Sequence, residues 1–500
     1  MKLKSILLFL MQSLVSALFA QIEYNDPLDL NIWERFRNAT PHPRCMMTGA
    51  DVQHTRNLIK TETWAAQYAQ SRVLSADKVL AELTDAKLEQ FIEITTPMGF
   101  FYPCPGCRAK GLPWHPNGNW SWNAKDPEHI TCNTCHTVFP HPDHPEEIVI
   151  QSKWDPRQKI TFVGGEPFPV YGVITRPSMN GMIRTRKLQF SLTWLDTLAD
   201  AYLYSAEAKY AEGVKRLLLR YATVLPNYLF GVNIYSEFAD CDPHIAAKDP
   251  LNLPADEITA PPNKPDRRIH SGYWQGNRMG TAGMDGSIGV RLSNAYDLTC
   301  TAKHADDTPV YTEEECKRIE KDVLIELAYH FVYDTKINNK SVGNRAGAAA
   351  IGLATGQPDM VRFGLDGFLR TVNSWFLPDG STSESAGYGL MTMGCIQSFP
   401  YLFRDYSDPM GYLPPEGSPL LSHFNACKDT DYGTCWQNMI LTLQGDLSFP
   451  PIADSYVTSR ISTCERSSRL SLRPVRKRRS HKRGPVRFVG FFRFIPGNAY

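Results

Sequence analysis

Between Ser341 and Cys395 the chain reads SVGNRAGAAAIGLATGQPDMVRFGLDGFLRTVNSWFLPDGSTSESAGYGLMTMGC, the stretch that most constrains its fold. Asn344 and Arg345 open a run of small residues from Ala346 to Ala354. Val361, Leu365, Phe368, Leu369, Val372, Trp375 and Phe376 then recur at the spacing of one helix face. A Leu-Pro-Asp-Gly turn at 377–380 leads to Glu384 and Tyr388, four residues apart and so on one face of the next helix. A buriable helix therefore separates an amide and guanidinium from a carboxylate and phenol. If the flanking helices are antiparallel neighbours, both pairs face one cleft.

The same periodicity runs through most of the chain. Helical patterning is expected from about Val52 to Ile94 with a break near Ser75, then over 186–203, 208–225, 286–300, 312–334 and about 423–443. The fifth of these opens on Thr312-x-x-Glu315, a capping-box signature. Residues 22–44 and 226–283 read as irregular, the second with much Pro and Gly. No β-α-β alternation appears. The expected class is mainly α, an incomplete (α/α) toroid of about ten to twelve helices. Residues 21–97 would supply its first helices and 166–454 its main body and cleft.

Residues 98–165 differ in character. Pro, Gly, Trp and His dominate around Cys104, Cys107, Cys132 and Cys135, a C-x2-C…C-x2-C pattern with 24 residues between the pairs. Four thiolates so spaced suit a tetrahedral, structural zinc ion with no open position for catalysis, and two disulfides are the alternative. The segment is read as a small zinc-ribbon-like β insert, too short to fold without a staple. His129, His136, His141 and His144 lie nearby, and surface placement explains them.

The N-terminal 20 residues carry two lysines and an apolar run ending in small residues, a signal peptide cleaved after Ala17 or Ala20. Gln12 and Ser13 interrupt the run, and no other stretch could span a bilayer. Secretion, or release to a periplasm, is the expectation. Near-neutral overall charge hides a split: residues 455–500 hold 12 Lys/Arg against one acid, a balance of +11, and the preceding residues 41 against 51, a balance of −10. Such a tail could bind polyanions or membrane surfaces, but its abrupt composition favours a non-native or disordered segment outside the fold. No nucleic-acid partner is expected, and the sequence does not indicate an oligomeric state.

Asn344 at a helix start, the segment Asp379 to Tyr388 (DGSTSESAGY) and FPPIADS at 449–455 together resemble the heparinase II/III-like and alginate-lyase-type polysaccharide lyases, loosely over residues 40–455. The resemblance implies β-elimination on a uronic-acid glycan without a catalytic cofactor. It maps Asn344 onto a carboxylate-neutralising asparagine and Tyr388 onto a catalytic tyrosine acting as base, acid or both. Arg345 stands where relatives often carry histidine; it can neutralise charge but cannot serve as a base near neutral pH. Relatives also draw a histidine from a β domain that follows the toroid, for which this chain has no room, leaving His244, His270 and His330. Trp274, Tyr273, His270 and Glu384 are candidate substrate contacts, aromatic faces beside polar groups suiting sugar stacking. Two rival readings are a glycoside hydrolase using Asp379 and Glu384, and an inactive glycan-binding truncated homologue.

Overall fold

The computed structural model describes residues 25–453 except 99–101, 263, 265, 266 and 383; the expected signal segment 1–20 and the tail 455–500 lie outside the described residues. Helices α1 (Leu30–Phe36), α2 (Gly49–Thr61), α3 (Thr63–Glu82) and α4 (Asp85–Phe91) lead to the short α5 (Pro105–Ala109). Seven strands follow: β1 (Trp120–Asn123), β2 (Asp126–Cys132), β3 (Val138–Phe139), β4 (Ile148–Gln151), β5 (Lys159–Phe162), β6 (Phe168–Val170) and β7 (Val173–Thr175). Helices resume with α6 (Met179–Ser205) and α7 (Ala208–Val224). The irregular region holds β8 (Gly231–Val232), β9 (Glu237–Ala239), α8 (Pro243–Lys248) and β10 (Ile258–Thr259). Then come α9 (Gly286–Thr299), α10 (Glu313–Ile319), a π-helical turn, α11 (Glu326–Val332), α12 (Ser341–Thr355), α13 (Pro358–Arg370), α14 (Ala386–Ile396), α15 (Phe399–Leu402) and α16 (Tyr432–Leu441).

Helices pack against sequence neighbours, α6 on α7 and α12 on α13, and across pairs, α3 on α6 and α9 on both α6 and α12. That is the layering of an incomplete (α/α) toroid with a small β insert. Local signals set many boundaries. Thr312 and Glu315 form the expected capping box at α10. Gly356, at φ +79°, ends α12, and Pro358 starts α13 two residues later. Other boundaries differ from the periodicity. Ser75 lies inside α3, its hydroxyl donating to the Ser71 carbonyl at 2.9 Å. The breaks fall instead at Glu62 and at Leu83–Thr84, where Thr84 caps α4. Helix α1 forms where an irregular segment was expected, and α16 begins at Tyr432 rather than near His423.

Two apolar clusters divide the helical body. One joins α1, α3, α4, α6, α7, α9, α10 and α11; the other joins α14, α15 and α16; α12 and α13 contribute to both. Every residue of α12 is buried. Its small side chains let neighbours come unusually near: a Cβ on Gly347 would sit 2.5 Å from the Gly286 Cα of α9. Each of these glycines is present because the other backbone occupies the space of its side chain.

Candidate functional site

Three successive residues of α12 meet three different helices. A Cβ on Gly343 would lie 3.3 Å from the Cys395 sulfur of α14. The Asn344 Oδ1 accepts the Gly286 N–H at the start of α9 at 3.0 Å, and its Nδ2 donates to the Gly283 carbonyl at 3.3 Å. The Arg345 guanidinium lies 3.5 Å over the Phe363 ring and donates to the Phe363 carbonyl at 2.8 Å. It also reaches the Asp334 carbonyl at 3.4 Å and approaches the Asp366 carboxylate at 3.7 Å. Steps of about 100° per residue require this divergence. Helices α12 and α14 are neighbours, as a shared cleft would need. However, Asn344 and Arg345, 3% and 1% exposed, hold α12 against α9 and α13.

The residues that face α14 come earlier. Asn339 donates from Nδ2 to Glu384 Oε2 at 3.1 Å, and its carbonyl lies 3.7 Å from the Cys395 sulfur. Ser385 caps α14 by accepting the Tyr388 N–H. Tyr388 precedes Cys395 by two helical turns, so both lie on the α12 side of α14. Tyr388 is half-buried. Lys340 follows Asn339, with Nζ 4.6 Å from the centre of the Trp274 ring. The start of α12 thus carries an amide and an ammonium beside the expected carboxylate and phenol. Sequence reasoning passes over Asn339 and Lys340; the Asn338-Asn339-Lys340 run ahead of the small-residue stretch is the signal that could have found them.

The other candidates separate by environment. Trp274 is 42% exposed and can serve as a platform. Its neighbour Tyr273 is turned into packing, its hydroxyl donating to the Ala247 and Lys248 carbonyls; burial pushes that phenol above its ordinary range. The His270 imidazole is held by the buried Glu237 carboxylate and accepts at Nε2 from Arg268 at 3.1 Å. His330 is buried between Phe230 and Phe331, 3.4 Å from Asp285. His244 is the accessible one of the three histidines, its side chain 39% exposed. It stacks on Tyr329 at 3.6 Å and its Nε2 lies 2.7 Å from Glu326. Against the penalty of burial, Arg278 and His244 hold the Glu326 carboxyl below the usual range. Asp379 is exposed in its turn, accepting the Ser381 N–H at 2.9 Å.

A cavity of about 520 Å³ lies elsewhere, lined by Ile150, Lys153, Asp240, Asp256, Ile258 and Arg267 among others. Its buried acid, Asp240, already accepts from Ser152, Thr259 and the Lys153 and Trp154 amides. With that carboxylate saturated, the described residues of the cavity offer no free buried base for proton transfer.

In the insert, the four cysteine sulfurs lie within 4.8 Å of one another, buried. Cys104 faces Cys135, and Cys107 faces Cys132, each at 3.6 Å. Bonded sulfurs would stand about 2.05 Å apart, whereas a tetrahedral ion with metal–sulfur bonds of about 2.3 Å separates its ligands by about 3.8 Å. The donor set therefore fits a metal ion. Burial raises the Cys107 thiol to about 12; in Cys135 burial is overcome by hydrogen bonding with Thr137, Cys104 and Cys132 together, which brings it to about 7. Antiparallel β1-β2-β3 presents Cys132 at the end of β2, and α5 presents Cys104 and Cys107.

No protein-family model matches the chain, and neither does any curated protein. Among solved structures it is similar to an alginate lyase from Bacteroides ovatus, with 12% identity over 81% of this chain and 84% of that one and a TM-score of 0.43. It is also similar to alginate lyase A1-III from Sphingomonas species A1, with 14% identity over 61% and 67% and a TM-score of 0.34. Likeness this low says nothing about which residues act.

Proposed function

We propose that the chain is an exported polysaccharide lyase that cleaves a uronic-acid glycan by β-elimination. The observation that carries this is the rim ahead of α12, where Asn339 meets Glu384, one turn before Tyr388 of α14, and the next residue, Lys340, meets the exposed Trp274. It combines a half-buried phenol, a carboxylate, a cation and an aromatic platform. Removal of the C5 proton leaves an electron pair that forms the C4–C5 double bond as the C4–O bond breaks. The departing oxygen takes a proton. Tyr388 acts in that transfer, and Glu384 positions it together with Asn339. His244, oriented by Glu326, is the histidine with the access a second proton-transfer group needs. Asn344 and Arg345 support the site from behind, since burial keeps their polar groups from a polymer.

The four cysteines hold structural zinc in this reading, fixing the insert; elimination uses no step at the metal. The amino-terminal segment directs export, and among the described residues no helix is long and apolar enough to cross a membrane.

Ultraviolet absorbance of the unsaturated uronate over alginate, heparan and hyaluronan tests the reading, with Tyr388→Phe alongside. Turnover should fall roughly 10²- to 10⁴-fold in the variant with an unchanged circular dichroism spectrum. Cleavage without the ultraviolet band would establish the hydrolase instead. Binding without cleavage, indifferent to Tyr388→Phe, would leave a glycan-binding protein.

A further inference from the structure

Lys340 is a cation without an anion. Its Nζ has two carbonyl acceptors, Trp274 O and Ala282 O, both at 3.3 Å, toward the long end of the hydrogen-bond range. Among the described residues no carboxylate lies within ion-pair distance of it. The titratable groups around it are engaged elsewhere. On its own turn, Asp334 accepts the Lys336 N–H. On the 272–285 segment, Tyr273 is bonded to α8 carbonyls and Asp285 accepts from the Arg278 and Met279 amides. Ahead of α14, Glu384 accepts from Asn339, and on α14 burial raises the Cys395 thiol to about 12. Burial without a compensating charge pulls the Lys340 pKa down to about 8. An ammonium with no carboxylate partner among the described residues thus stands beside an exposed indole.

We propose that Lys340 and Trp274 form the sugar subsite of this rim, specific for a uronate: the Lys340 ammonium takes the carboxylate and the indole supports the ring. The assignment rests on the acidic-glycan reading and supplies the carboxylate contact that Asn344 and Arg345, buried against α9 and α13, do not. It also sets a pH dependence. Below about pH 8 the ammonium is present and attracts the carboxylate; above it the amine is neutral and the attraction is lost. A bound carboxylate favours the protonated form, so binding near pH 8 takes up a proton.

Calorimetric titration with a mannuronate tetramer and with neutral mannotetraose tests this, on wild type, Lys340→Met and Lys340→Arg. At pH 7 the methionine variant should bind the uronate roughly 10- to 100-fold more weakly, the arginine variant should stay within about threefold, and neutral-sugar binding should be unchanged in both. Wild-type affinity for the uronate should fall roughly tenfold from pH 7 to 9 while Lys340→Met stays flat, and wild type at pH 8 should show proton uptake across buffers of different ionisation enthalpy. Equal uronate affinity in wild type and Lys340→Met overturns the subsite, as does a pH-independent wild type, wild type that binds neither tetramer, or a methionine variant that loses both sugars alike. Turnover of a uronate polymer with Lys340-independent binding would leave the lyase and remove the subsite. Lys340-dependent binding with no ultraviolet product would do the reverse.

Discussion

The core of the cysteine insert and the surroundings of α12 are both buried, yet they are ordered by different means. Around the cysteines the strands are short, β3 having two residues, and the four sulfurs sit at the middle of the cluster formed by Tyr102, Trp120, Ile130 and Phe139. Around α12 there is no central group. Order comes from backbones in near contact, Gly347 on Gly286, and from Arg345 laid across Gly367 and the Phe363 ring. A region organised on a point fails when the point is removed, whereas a region organised on fit fails in proportion to the misfit.

On the proposed zinc assignment, metal removal gives the sharpest break. Structural zinc in small cysteine sites contributes on the order of 10–16 kcal/mol of apparent binding energy near neutral pH, more than short strands can replace. Chelation, or Cys107→Ser, should release the insert as a unit. Emission from Trp120 and Trp122 should shift to the red and protease cleavage should appear between Leu112 and Asn119, while far-ultraviolet helicity persists. A metal-free protein with unchanged emission and protease resistance would show that the insert is held by packing, and the contrast would disappear.

Arg345→Ala probes the second region. Removing one member of a buried, hydrogen-bonded charged arrangement costs about 3–5 kcal/mol, and here the α12–α13 contact loses the chain filling the space over Gly367. Urea denaturation should show that loss, and the insert's tryptophan emission should be untouched. A change below about 1 kcal/mol would mean that α12 tolerates misfit, against the account of its packing.

The contrast also explains what could be read from the chain. Cys104, Cys107, Cys132 and Cys135 announce by spacing that their sulfurs gather at one point, and the stripe Leu188, Leu192, Leu195 and Leu198 announces α6. The run from Ala346 to Ala354 announces a buried helix but not its neighbours. A helix apolar on all sides has no stripe from which to read direction. That is why Asn344 and Arg345, adjacent in sequence and suited to one carboxylate, part company in space, and why Asn339 reaches Glu384 and Lys340 reaches Trp274 unannounced. Tyr273 and Trp274 were equally similar on paper; the turn at 272–274 points one into α8 and leaves the other exposed.

The smallest effect concerns the polar support of the α9–α12 contact. Asp285, fully buried ahead of Gly286, accepts the Arg278 N–H at 2.7 Å and the Met279 N–H at 3.0 Å, with Thr281 and His330 also beside it. Burial alone would raise its pKa, but these partners overcome that and hold the carboxyl below its ordinary range. A carboxyl that ionises more readily folded than unfolded adds stability in full above the unfolded value, about 3.9, and loses it as pH falls through the lower folded value. Asp285→Asn keeps the shape without the charge. It should lower stability by about 1.5–3 kcal/mol at pH 6, the range for hydrogen bonds to charged groups. The gap should hold down to about pH 4 and narrow below it, where wild type loses the same charge. A gap of constant size from pH 6 to pH 2 would mean that shape, not charge, fixes the start of α9, and α12 would then be ordered on both flanks by fit alone.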